Sequence, residues 1–248
     1  MTTDLGKLWA ERMTAVERDQ SFPDSEPRDA ATLMVIDRAG AKPKVLLGRR
    51  HQSHKFMPGK FVFPGGRIEP LDRVMTTASE LHPDMQKKLL ERVAEPSVEL
   101  ARAFALAAVR EMAEETGLLL GIKRDISPAV PGELWADFAK ARVHPDLAHI
   151  HLIARAVTPP RRPRRFDTRF FTADATAVAH KIESVVGPDS ELVELVWVPI
   201  EEATHLDMPT ITGVVLEELL ARVEAGMGHE LPVPYYFMIE QQFFRELL

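Results

Sequence analysis

The hydrophobic pattern of this chain changes period several times, and each change marks an element. Leu33, Met34, Val35 and Ile36 form an unbroken apolar run, which predicts a buried strand over 31–38. Residues 40–43 supply a turn, and 44–50 reads as the hairpin partner. Met85, Leu89, Leu90 and Val93 then recur at helical spacing behind Pro83-Asp84. Pro96 breaks that helix, and Ser97 is placed to cap a longer one that is helical by composition through 101–109 and continues to about Leu120, with Gly117 as the stop signal near its C-terminus. A small helical region is expected over 131–142, and strands over 148–158, 168–173 and 192–200. Ile211, Val214, Val215, Leu219 and Leu220 predict an amphipathic helix over 209–225. The start of the chain reads as a short amphipathic helix followed by a loop with Pro23 and Pro27.

Strands alternating with a few helices suit an α/β fold, a mixed β-sheet sandwiched between α-helices. No repeat or low-complexity tract divides the chain, so one domain over 1–248 is expected, with a helical insertion at 73–102 and a C-terminal helical elaboration at 207–248. The insertion reads as folded, either a flap beside the active site or a spacer with no contact to substrate. The tail carries Tyr235, Tyr236, Phe237, Phe243 and Phe244, which suit packing on the core or a contact in a homodimer.

Composition narrows the chemistry. The 248 residues are 45% hydrophobic and 27% charged, ordinary for a globular protein and enough for one well-buried core. No apolar run approaches a membrane span, and the polar start is no secretory signal, so a cytoplasmic address is the default expectation. With no cysteine, disulfides, thiolate metal sites and a cysteine nucleophile are excluded. A net charge of −6 argues against general nucleic-acid binding.

The stretch 110–118, Arg-Glu-Met-Ala-Glu-Glu-Thr-Gly-Leu, puts Glu111, Glu114 and Glu115 on one helix face. Three acids so crowded repel one another unless a cation sits among them, and Mg²⁺ suits a few carboxylates while keeping positions for water and phosphate oxygens. A solvated acidic helix end accounts for the cluster equally well when it is taken alone. Upstream lies 63–72, Phe-Pro-Gly-Gly-Arg-Ile-Glu-Pro-Leu-Asp, whose paired glycines permit a tight backbone path.

Together the two stretches resemble the signature of the Nudix hydrolases, G-x5-E-x7-R-E-U-x-E-E-x-G-U, where U is bulky and aliphatic. Gly66 leads to Asp72 where the family has Glu, and 110–118 matches at every fixed position. Roughly thirty residues are inserted between the halves. Such an insertion is similar to that of the peroxisomal coenzyme A diphosphatase-like subgroup, as are the segments 56–66 and 164–171. Segment 46–66 shares the Gly-x3-Phe-Pro-Gly-Gly part of that subgroup's motif, with Lys55 where Arg is expected.

The resemblance implies a Nudix fold and hydrolysis of a small-molecule diphosphate, with coenzyme A or an acyl-coenzyme A as the first substrate expected and Mg²⁺ or Mn²⁺ as cofactor. It implies Glu111 and Glu115 as metal ligands, Glu114 as a third ligand or holder of a second ion, and Gly66 as a carbonyl donor. Arg110 is expected to pair with a box carboxylate, while the role of Asp72 stays open. Arg164, Arg165 and Arg169, with Arg50 and Phe63, form the expected substrate-binding set, since arginine forks suit phosphate oxygens; a solvated basic loop is the bland reading of 161–165. The general base is not identifiable, although Glu183, Glu191 and Glu194 are available. Alternatives are a pyrophosphatase of nucleoside diphosphate derivatives such as ADP-ribose or NADH, and a non-catalytic Nudix-fold nucleotide-binding protein.

Overall fold

A computed structural model describes residues 5–54 and 57–248. Lys55 and Phe56 of the loop motif, and the first four residues of the expected N-terminal helix, lie outside the described residues. Helix α1 (Leu5–Thr14) precedes strands β1 (Arg28–Asp37), β2 (Lys44–Arg50), β3 (Phe61–Val62) and β4 (Gly65–Arg67). Next come α2 (Pro83–Leu90), α3 (Val98–Thr116), β5 (Leu118–Leu120), β6 (Ile122–Lys123), α4 (Ala136–Ala141) and β7 (Val143–His144). The second half supplies β8 (His151–Val157), β9 (Phe166–Asp174), β10 (Val178–Lys181), β11 (Leu192–Pro199), α5 (Ile200–Ala203), α6 (Thr210–Glu224), β12 (Pro234–Ile239) and β13 (Gln242–Leu247).

The main sheet has the order β11-β2-β1-β9-β8-β12-β13, with β3 beside β2 and β4 beside β1. It is mixed, because β1 runs parallel to β9, and β8 to β12. Successive side chains of β1 point to opposite faces. Leu33 and Val35 therefore enter one hydrophobic core with Phe104, Leu106 and Met112, while Met34 and Ile36 enter the other with Ile153, Val214 and Leu219. That is why the run is apolar without alternation: helices cover both faces of the sheet.

One edge of β1 changes partner along its length. Ile36 and Asp37 pair with β2, whereas Ala30, Ala31 and Thr32 pair with Arg67, Gly66 and Gly65 of β4. This switch carries the glycine pair beside α3. Ser97 caps α3 by accepting the Leu100 N–H at 3.1 Å. The helix stops at Thr116 rather than near Leu120, because Gly117 takes the left-handed conformation at φ 77° and donates to the Ala113 carbonyl at 2.8 Å. A side chain there would also collide with the Ile182 carbonyl. Leu118–Leu120 instead forms β5 and pairs with β10.

The insertion contributes α2, whose Met85 and Leu89 pack in the same core as Leu100 and Phe104. The C-terminal region is helical only over α6. Its aromatic residues then lie at adjacent positions in the two strands of the β12–β13 hairpin, which extends the sheet beside β8. Among the described residues no helix is long and apolar enough to cross a membrane.

Candidate active site

One buried arginine ties the two acidic stretches together. Arg110 is 2% exposed, and Asp72, in the 3-10 turn Pro70–Arg73, is fully buried. The arginine Nε and Nη2 donate to the two Asp72 carboxylate oxygens at 2.9 and 3.0 Å, a bidentate pair. Its Nη1 donates to Glu111 Oε1 at 2.8 Å and Glu114 Oε2 at 3.0 Å, and Nη2 also reaches the Arg67 carbonyl at 2.9 Å. The Glu69 N–H donates to Asp72 Oδ2 at 2.8 Å, fixing the turn that presents Asp72. Asp72, whose role the sequence leaves open, is thus held by Arg110 across the insertion despite its shorter side chain.

Burial shapes the charges. It opposes the Arg110 cation, yet the hydrogen bonds and charge of Asp72, followed by Glu111, outweigh it and raise the pKa above the ordinary value. Glu111 and Glu114 are also raised, by burial first, with Arg110 pulling the other way. Glu115 is raised furthest, well above the ordinary carboxylate range, by burial and then by repulsion from Glu191 and Glu111. Arg50 and the Gly65 N–H offset this only in part, and Glu115 Oε2 is buried without a hydrogen-bond partner.

The glycines are demanded by space. A Cβ on Gly65 would lie 2.6 Å from the Ala31 carbonyl, and one on Gly66 would run into the Glu111 carboxylate. Glu111 and Glu115 face a cleft of about 410 Å³ that Gly65, Gly66, Arg50 and Phe63 also line. Arg164 reaches it from the loop before β9, and Glu191 from the start of β11.

Arg110 and Glu114 do not line the cleft: Arg110 lies beneath it, and Glu114 turns to Arg110 with 40% of its side chain exposed. The structure separates the arginines of the basic segment. Arg169 is 1% exposed, paired with Asp29 and Asp167, and stacked on Phe104 with its guanidinium 3.8 Å from the ring centre, so it holds the fold rather than substrate. Arg165 pairs with Asp24 at 2.8 Å and lines a neighbouring groove instead. No described residue of the 73–102 insertion is among those lining this cleft, and its Met85 and Leu89 pack in the core. Glu191 gained its place by strand pairing: Leu192 stands opposite Arg50, and Arg50 Nη1 reaches Glu191 Oε1 at 2.9 Å. Nothing local in the sequence marks that neighbourhood.

The donor set fits a hard divalent cation. It consists of oxygen atoms, carries excess buried negative charge, and leaves one carboxylate oxygen unsatisfied. Among the described residues no three Asp, Glu or His side chains close around a common point. Mg²⁺ tolerates this, since it commonly takes one or two carboxylates and fills the remaining positions with water and substrate phosphates.

No protein-family model matches the sequence. Among solved structures, the chain is similar to a Nudix hydrolase from Alicyclobacillus acidocaldarius at 30% identity, over 79% of this chain and 92% of that one, with a TM-score of 0.61. More distant similarities link it to the Nudix domain of Shewanella oneidensis NrtR complexed with ADP ribose and to a C. elegans Ap4A hydrolase. The first has 14% identity over 86% of this chain and 97% of that one, with a TM-score of 0.43. The second has 13% identity over 79% and 99%, with a TM-score of 0.41. Neither is near enough to bear on substrate.

Proposed function

The chain belongs to the Nudix hydrolase family, and from that premise we propose that it cleaves the diphosphate linkage of coenzyme A or an acyl-coenzyme A, with Mg²⁺ or Mn²⁺ as cofactor. The observation that carries the reading is the buried Glu115 carboxylate, one oxygen unpartnered, beside Glu111 in a cleft that also holds Arg164. Glu111 and Glu115 would hold the cation, which when bound supplies charge neutralisation, polarisation of a phosphoryl oxygen and a more acidic water. Gly66, which packs against the Glu111 carboxylate, would offer its carbonyl as a further oxygen donor.

The residues themselves do the rest. Arg110 holds Glu111 in place by hydrogen bonding, so that the carboxylate does not rotate away when substrate arrives. Glu114, bound to the same guanidinium, stands outside the cleft and is a supporting group or the holder of a second ion. Arg164 has no carboxylate partner among the described residues and lines the cleft, placed to fork onto phosphate oxygens as charge builds on the leaving group. Glu191, next to Glu115 and outside the box, is the added carboxylate available for taking the proton of attacking water. The coenzyme A assignment is supported by the Gly59–Gly66 motif and by the insertion between the box halves.

The test is product release from coenzyme A, acyl-coenzyme A, ADP-ribose, NADH and dinucleoside polyphosphates, with Mg²⁺, with Mn²⁺ and with chelator. Metal-dependent release of 3′,5′-ADP from the coenzyme A compounds is the expected result. Selective cleavage of ADP-ribose or NADH would transfer the assignment to nucleoside diphosphate derivatives.

A further inference from the structure

Beside the cleft opens a groove of about 760 Å³ whose charge is opposite to that of the chain. The protein carries a net −6, yet Arg28, Arg67, Arg164 and Arg165 line this groove against Glu26. Arg67, Arg164 and Phe166 line both spaces, so groove and cleft are continuous. Arg165 is held by Asp24 at 2.8 Å, while the Arg67 guanidinium stands a loose 3.8 Å from Glu69. Neither Arg28 nor Arg164 has a carboxylate partner among the described residues.

Strand pairing fixes where these arginines stand. Ala30 of β1 is registered opposite Arg67 of β4, and Arg28 lies two residues before Ala30. Side chains two apart on a strand share a face, as do those registered opposite each other, so Arg28 and Arg67 project from one face. On the other side of β1, Arg28 is registered with Phe166, and its N–H donates to the Arg165 carbonyl at 3.0 Å, which anchors the loop carrying Arg164. Cations gathered on three segments of one sheet repel each other unless an anion lies among them. The diphosphate has its counter-charge in the cleft, so the groove suits a second anion close by on the same molecule.

We propose that this groove binds a ribose 3′-phosphate of the substrate, with Arg28 and Arg67 as the specificity-determining residues that select for it. Only sugar carbons separate such a phosphate from a 5′-diphosphate, which matches two spaces that share a wall. The assignment rests on reading the cleft as the diphosphate site, and it supplies a selection that the cleft alone lacks. Coenzyme A carries a ribose 3′-phosphate, whereas ADP-ribose and NADH do not and would leave the groove empty.

The experiment compares KM for coenzyme A and 3′-dephospho-coenzyme A, on wild type and on the double variant Arg28→Gln with Arg67→Gln. Wild type should favour the phosphorylated compound by about tenfold or more. That ratio should shrink with added salt and approach one in the variant, whatever happens to absolute rates. If the double variant does not fold, Arg28→Gln alone reads the same ratio. Equal KM values in wild type, or a ratio that the variant leaves unchanged, overturn the groove. Failure to cleave either compound strikes the diphosphate reading instead. Calorimetry with adenosine 3′,5′-bisphosphate and with 5′-AMP, both with Mg²⁺, then decides the groove alone. Tighter binding of the bisphosphate that is lost in the variant supports it, and equal affinities, or a preference the variant keeps, overturn it.

Discussion

At the scale of single residues, Arg110 decides whether the acidic site can exist. Its guanidinium is shared by Asp72, Glu111 and Glu114, and both it and Asp72 are sealed from water. Removing one partner of a buried pair leaves an uncompensated charge, a loss of about 3–5 kcal/mol. Arg110→Ala should accordingly unfold at much lower denaturant concentration than wild type. Arg110→Lys should fall between them, because an ammonium cannot fork onto both Asp72 oxygens; equal midpoints for all three proteins would remove Arg110 from this role. The sequence allowed Arg110 to be read as a carboxylate partner, since the box pattern sets its neighbours within one helix turn. It left Asp72 open, because the contact spans an insertion whose path no local rule predicts. Glu191 was one of several available acids for the same reason: only the pairing of β11 with β2 brings it to Glu115.

At the scale of elements, three histidines tie the insertion to the rest of the molecule. His82 at the start of α2, His229 in the loop after α6 and His151 of β8 stack in series, with ring centres 4.3 and 4.2 Å apart. Burial, then the neighbouring His229, pushes His151 down to about 4, and burial, then His82, lowers His229. Arg222, Arg38 and His149 face His151 and add to the effect, whereas Glu230 and Asp84 oppose it at His229. A folded-state pKa below the unfolded value of 6.5 means that stability is complete above that pH and is lost as pH falls toward about 4. The melting temperature should therefore drop between pH 7 and pH 5, with faster hydrogen exchange in α2 and in the loop holding His229. His151→Phe, which keeps a ring in the stack, should flatten that slope; an unchanged slope would place the acid sensitivity elsewhere. The helices and long strands were legible because their apolar periods are long. The end of α3 was overrun because Leu118, Leu119 and Leu120 continue an apolar pattern past Gly117, and only the pairing with β10 turns them into a strand.

At the scale of the whole molecule, the sheet separates two cores, and the site sits where β1 exchanges β2 for β4 as its neighbour. Sandwich architecture could be foreseen from alternating elements, but the order of strands could not, because β1–β9 and β8–β12 join segments far apart in sequence. The C-terminal hairpin escaped for a related reason: its aromatic residues suit a core, a dimer contact or a strand, and only the neighbour β8 selects the strand. The resulting fold presents Glu111, the buried Glu115 and Arg164 to one cleft. In the proposed function, Glu115 holds a divalent cation needed for diphosphate cleavage. The most direct measurement is metal-stimulated turnover of wild type against Glu115→Gln, with the melting temperature of each recorded without metal. Turnover should be lower by orders of magnitude, at least about a hundredfold, in the variant. The metal-free melting temperature should lie at or above that of wild type, since a buried ionisable group with one unpartnered oxygen is replaced by a neutral side chain. Wild-type turnover with an unaltered response to Mg²⁺ in a folded Glu115→Gln protein would contradict that role.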